Sequence, residues 1–143
     1  MTDSTTQPKA LRDWHEVVIS RDPVMLSELL AEDATFHSPV LFQPRRGRDL
    51  TALYLVRAMH VLANDTFQYV RELSGDRDAV LEFTAEVDGI HVNGIDMITW
   101  DHNDQITDFK VMLRPFRAIQ LVQQKMAELL QAAKEDHSVN EVT

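Results

Sequence analysis

The 143-residue chain contains no cysteine, which removes disulfide frameworks, thiol nucleophiles and thiolate metal sites from consideration. It is short of positive charge as well: 14 Lys and Arg stand against 23 Asp and Glu, a formal charge of −9. Neither a nucleic acid nor an anionic membrane surface is therefore expected as the main partner. No apolar run approaches the roughly 18 residues of a membrane span, and the polar start MTDSTTQPKA has no signal-peptide core, so the expected location is cytoplasmic. A glycine-rich phosphate loop, a Gly-x-Ser-x-Gly elbow and a dinucleotide fingerprint are all missing, and none of the six histidines has a metal-ligand spacing such as HExxH. No metal and no cofactor are expected. With 44% hydrophobic and 26% charged residues, what is present is the composition of one globular domain, placed at residues 10–133 between flexible tails at 1–9 and 134–143.

The hydrophobic period changes once along the chain. Leu11, Trp14, Val17 and Val18 form a helical stripe; Asp22 and Pro23 then supply the cap and first position of a second helix, with Met25, Leu26, Leu29 and Leu30 as its buried face. Ala34 to Val40 reads as a strand that Pro39 marks as an edge or an end. FQPRRGRD is a loop carrying Arg45, Arg46 and Arg48, and Asp49 is placed to cap a third helix over Leu50 to Ala63, with Leu53, Val56, Met59, His60 and Leu62 on its apolar side. From Phe67 the period is two for about fifty residues. Phe67 to Leu73, Leu81 to Val87, Val92 to Trp100 and Gln105 to Arg114 form a meander, with hairpin chemistry at Asp88-Gly89. Pro115 opens a last helix with Ile119, Val122, Met126, Leu129 and Ala133 repeating at threes and fours. Helices first and an antiparallel meander after them give an α+β fold, a curved sheet with helices over one face and an apolar hollow between. Leu81, Phe83, Ala85 and Val92 are expected to line that hollow. Ile98, Phe109, Val111 and Leu113 join them from the later strands, and Trp14 and Met59 from the helices.

One polar residue interrupts this apolar set. In DGIHVNGIDMITWDHNDQITDFKVMLR, alternation puts Asp96 on the same strand face as Val92, Gly94, Ile98 and Trp100, and the opposite face is also largely apolar. An Asp in such a strand must be hydrogen-bonded, paired, or held neutral in a pocket with a raised pKa. Trp14, whose indole N–H needs a partner, is explained by the helix stripe. His37 faces away from its neighbour Ser38 on the strand, and Tyr54, Tyr69, Met97 and Met112 fit either a core or a dimer face.

The order of elements, LAEDATFHSPV followed by GRDLTALY, and the closing hairpin GIDMITWDHNDQITDFKVMLRP resemble the nuclear transport factor 2-like superfamily, in its SnoaL-like and ketosteroid isomerase-like branch. The resemblance spans most of residues 10 to 117 and implies a cone-shaped fold: a curved, mostly antiparallel mixed sheet wrapped around three N-terminal helices, plus a C-terminal helix. It also implies a pocket for a small apolar molecule and a homodimer through the outer sheet face. It places Asp96 where ketosteroid isomerases keep a protonated Asp as hydrogen-bond donor to an oxyanion. The base of those enzymes corresponds to Ser38, their oxyanion-hole tyrosine to Trp14 and a supporting tyrosine to Leu55. Ser cannot remove a carbon-bound proton unaided, so steroid isomerisation by that route is not expected. The epoxide hydrolases of the fold use an Asp-Arg-Asp set that the inward faces here do not offer. SnoaL-type cyclases use one inward Asp or His, a role open to Asp96. The expectation is a pocket protein with isomerase, cyclase or hydratase-type acid/base chemistry through Asp96, against the alternative of a non-catalytic ligand-binding or dimerisation module of the same fold.

Overall fold

Asp22 starts the first tight corner of the molecule: its carboxylate accepts from the backbone N–H of Val24 and Met25, and Pro23 occupies the first helical position, where a missing N–H costs nothing. The computed structural model describes residues 7–142, with side chains through residue 132. Helices α1 (Lys9–Ser20) and α2 (Pro23–Leu29) precede strands β1 (Leu30–His37) and β2 (Arg45–Arg46) and helix α3 (Arg48–Leu62). Strands β3 (Gln68–Ser74), β4 (Asp78–Val87), β5 (Ile90–Trp100) and β6 (Ile106–Arg114) follow, and α4 (Phe116–Val142) closes the chain. The strands form one open, six-stranded sheet in the order β2-β1-β6-β5-β4-β3, with β1 parallel to β6 and every other pair antiparallel. This is the α+β arrangement expected from the residue pattern and the cone that the resemblance implies, with β5 in the sheet interior.

The meander follows from local chemistry. Asp88 and Gly89 both have positive φ, 50° and 78°, the conformation of a two-residue hairpin turn whose twist matches its strands, and Val87 pairs with Ile90 across it. Inward residues of β5 alternate without a break: Val92, Gly94, Asp96, Ile98 and Trp100 are buried and the residues between them are half-exposed. Gly94 is required where it stands. A Cβ there would lie 2.5 Å from Phe83 Cζ, 2.6 Å from the Met112 carbonyl oxygen and 2.7 Å from Leu113 Cδ2. The space over Gly94 is what lets the Phe83 ring lie across β5. Gly94→Ala is expected to destabilise by about 1–3 kcal/mol through overpacking, read as a lower urea midpoint with an unchanged slope.

Several elements differ from the sequence expectation, among them β2, a two-residue strand paired with β1 inside the stretch read as a loop. β1 begins at Leu30, four residues earlier, because a register shift between Leu30 and Thr35 lets Glu32 and Asp33 both face solvent; two adjacent exposed acids look like a strand break and are a bulge. Helix α3 starts at Arg48 after Gly47 (φ 107°), with no side-chain cap from Asp49. Its buried residues are Thr51, Leu55, Met59, Val61 and Leu62, while Leu53, Val56 and His60 are exposed. Apolar residues surround this helix, so periodicity could not choose a side. The choice is made by Thr51, whose hydroxyl donates to the Ala34 carbonyl at 3.0 Å and lies near that of Arg45, and so is buried at no hydrogen-bonding loss. At the C-terminal end the backbone stays helical through Val142, across the positions 134–142 read as a tail; residues 1–6 of the other tail lie outside the described residues.

Candidate functional site

Asp96 sits on the inner face of β5, opposite Leu81 of β4 and Val111 of β6, and is 6% exposed. Its carboxyl is held from β3, at the sheet edge. Tyr69 pairs in register with Phe83, which pairs with Gly94, so the Tyr69 ring shares the inner face and reaches one step along it to Asp96. Tyr69 Oη donates to Asp96 Oδ2 at 2.5 Å and accepts from Trp14 Nε1 of α1 at 2.9 Å. The three side chains form one directional relay, indole to phenol to carboxyl. The end of β3 is also tied to α1: His15 packs edge-on against the Tyr69 ring at 5.3 Å and its Nε2 contacts Glu72 Oε1 at 2.8 Å, while Gln7 Nε2 donates to Glu72 Oε2 at 2.8 Å.

The Asp96 carboxyl is pushed up from 3.8 to about 7: burial raises it, and the Tyr69 hydrogen bond, which favours the carboxylate, offsets part of that rise. Burial first, and then the Asp96 charge, raise the Tyr69 hydroxyl well above its usual range, so Tyr69 remains a neutral donor at any ordinary pH. Among the described residues no ion pair includes Asp96. At neutral pH the group is divided between its two protonation states.

In front of the carboxyl is a hollow of about 30 Å³, which Asp96 shares with Trp14, Leu55, Met59, Phe83, Phe109 and Val111, all expected from the sequence. The rings are closely set: Trp14 meets Phe109 at 4.7 Å, and Phe67 lies 5.0 Å from Tyr69 and 5.1 Å from Phe83. The hollow has room for a water or two and is far below the roughly 300 Å³ of an ordinary ligand pocket. Leu81, Val92 and Ile98 are on the expected inner face but are packed into the core away from the hollow, since alternation fixes the face and not the position under the helices. Ser38 is not at the hollow. It lies past the end of β1, where its Oγ accepts from the backbone N–H of Val40 and Leu41, a turn bond. Together with Leu113, Phe42 and Lys110 it lines a separate open groove of about 400 Å³ that shares Val111 with the hollow. His37 is half-buried on the outer face and contacts Asp108 Oδ1 at 2.8 Å.

Tyr69 is the functional residue that sequence reasoning does not assign to the site, along with Phe67, the helix residues Val18, Ala58 and Leu62, and Ala63 just past α3, which complete the wall. The usable signal was its shared parity with Phe67, together with the need of a buried carboxyl and a buried indole for a common partner. Among the described residues no group of His, Asp and Glu side chains has the geometry of a metal site, and no helix is long and apolar enough to cross a membrane.

The open mixed sheet, the helices over its inner face and the lone acid beneath them define an α+β cone of the nuclear transport factor 2-like superfamily. Within it, the chain belongs to the SnoaL-like domain family, whose model matches residues 11–109. A structure described as a steroid delta-isomerase from Pseudomonas aeruginosa is 35% identical, covering 88% of this chain and 92% of that one with a TM-score of 0.83. An uncharacterised bacterial protein with a cystatin-like fold from Silicibacter pomeroyi DSS-3 is 27% identical over 94% of both chains, also with a TM-score of 0.83. A de novo designed protein with a curved β-sheet is similar at 11% identity, 83% and 98% coverage and a TM-score of 0.65, a likeness of fold alone. A comparison with curated proteins finds no match.

Proposed function

We propose that this protein binds a small, mostly apolar molecule in the hollow beside Asp96, and that Asp96 gives that molecule a proton or takes one from it. The observation that carries the reading is the relay from Trp14 through Tyr69 to a buried carboxyl. A group with a pKa of about 7 is available as acid and as base at neutral pH, so one residue can remove a proton and return it elsewhere on the same molecule. That is isomerase, cyclase or hydratase-type chemistry without a cofactor. The relative described as a steroid delta-isomerase supports the isomerase form, whereas Ser38, bound into its turn, does not support a base at the position that the family's steroid enzymes use.

The second reading is a binding module without turnover. It is favoured by the lining of the hollow, where Asp96 is the one acid/base group apart from the committed Tyr69, and where both N–H and O–H donors are already used. Acetone in deuterated buffer, a ketone of four heavy atoms, separates the two. Binding is expected to shift the indole N–H resonance of Trp14 and raise the melting temperature. Exchange of deuterium into the ketone α-carbons that disappears in Asp96→Asn identifies an enzyme; binding without exchange identifies the module; no shift of resonance or melting temperature overturns the pocket itself.

A homodimer through the outer sheet face is proposed on the strength of the half-exposed Ile95 and Met97 and of Met112, 45% exposed on the neighbouring strand. Light scattering at micromolar concentration is expected to give twice the chain mass, and Met112→Glu to lower it; a monomeric mass for the unaltered protein sinks the proposal. The cytoplasmic location is proposed from the sequence and is checked by cell fractionation.

A further inference from the structure

The hollow beside Asp96 is walled by acceptors. Trp14 Nε1 donates to Tyr69 and Tyr69 Oη donates to Asp96, so both polar hydrogens of the lining point towards the carboxyl and neither points into the space before it. The remaining lining is aliphatic, thioether or aromatic. Aromatic faces carry the negative lobe of the ring quadrupole, and the Trp14–Phe109 and Phe67–Tyr69 pairs are edge-on, so that faces as well as edges are presented to their surroundings. No cationic side chain among the described residues pairs with the carboxyl. A neutral carbonyl compound finds a donor here only while Asp96 keeps its proton. An anion finds none.

We infer that the hollow beside Asp96 is a binding site for a small organic ammonium ion, a primary amine of about two to four heavy atoms, whose N–H donates to the Asp96 carboxyl and whose alkyl part lies against the rings. This rests on the small-molecule reading above and names the chemistry of the ligand. Three features set it. The relay is wired to stabilise negative charge on Asp96, since each donor in it points the same way. Aromatic rings supply the attraction that a desolvated cation needs beyond its one counter-charge. A volume of about 30 Å³, room for about two waters, limits the ligand to a few atoms.

The ligand's charge takes the place of the proton on Asp96, so binding strengthens as the carboxyl ionises. Tyr69 of β3 is the titratable group that touches it; His15 of α1 and Glu72 of β3, paired with each other, stand one layer out. The residues that α3, β4 and β6 present to the hollow, Leu55, Met59, Phe83, Phe109 and Val111, do not titrate.

The test compares isopropylammonium chloride with 2-propanol, its neutral match in shape, against sodium chloride at equal ionic strength. Each is titrated at pH 5.5 and pH 8 while the indole N–H resonance of Trp14 is followed. The expected result is binding of isopropylammonium at least tenfold tighter than 2-propanol at pH 8, at least tenfold weaker at pH 5.5, and lost in Asp96→Asn with the circular dichroism unchanged. Should Asp96→Asn fail to fold, Tyr69→Phe serves instead: it removes the bond that favours the carboxylate, and the pH dependence is expected to move upward. Equal affinity for the two probes, or ammonium binding indifferent to pH, overturns the inference and leaves the small-molecule reading standing. No response to either probe at either pH overturns both.

Discussion

Asp96→Asn is expected to stabilise the protein at pH 8 by up to about 4 kcal/mol and to flatten its stability between about pH 4 and 7. The folded state keeps a proton on Asp96 up to about pH 7, whereas the unfolded chain releases it near 3.8. Between those values the native state binds more protons than the unfolded state, so stability falls as pH rises, by about 1.4 kcal/mol for each unit of separation. Below the window both states are protonated and above it both are ionised, and the contribution is level. Asn carries no charge to desolvate, and its amide oxygen can still accept from Tyr69. Urea unfolding of both proteins from pH 4 to 8.5 is the measurement. The two curves are expected to converge at the acid end and separate towards neutrality; parallel curves mean that the carboxyl is not held neutral by burial.

Tyr69→Phe is expected to cost about 4 kcal/mol at pH 8 and noticeably less at pH 5. The ring stays, and with it the packing against Phe67 and Phe83, so the loss is that of the hydroxyl. Trp14, 2% exposed, is left with an unpaired N–H, a penalty of about 1–3 kcal/mol. Asp96 loses a donor as well, and a hydrogen bond to a charged acceptor contributes about 1.5–3 kcal/mol, a term that shrinks once the carboxyl is protonated. Removal of the bond also drives the carboxyl further above 7, because Tyr69 is what pulls it down. The urea midpoint at the two pH values reads the energy and the Trp14 indole resonance reads the broken relay. A loss equal at both pH values assigns the effect to Trp14 alone. In combination with Asp96→Asn the two changes are expected to be non-additive by a kilocalorie or more, as contacting residues are.

The legible part of the site is the part that alternation controls. Asp96, Phe83, Phe109 and Val111 were placed inward because a strand has two faces and the apolar set chooses one. Trp14, Leu55 and Met59 came from helix stripes and from the resemblance, and the structure brings them to the same hollow. Leu81, Val92 and Ile98 mark where alternation stops being informative, since a correct face still leaves depth open. Ser38 shows another: it follows the last residue of β1, where the chain leaves the sheet and parity stops having meaning.

Two things about this protein were settled by the order of its residues alone. Hydrophobic period, turn chemistry and the Asp88-Gly89 hairpin are encoded within a few neighbouring residues, so an α+β fold with Asp96 facing inward on β5 could be read from the chain, and the resemblance added the cone. What the carboxyl faces could not. Its partner Tyr69 is 27 residues away on an edge strand that is polar along most of its length, and the partner's own donor, Trp14, is 55 residues further back. The volume of the hollow likewise depends on how closely α1 and α3 settle on the sheet, and on the space over Gly94 that admits the Phe83 ring. Distances of this kind arise from packing between elements, which no local pattern carries. Tertiary structure therefore decided that Asp96 is the end of a relay facing about 30 Å³ of apolar space.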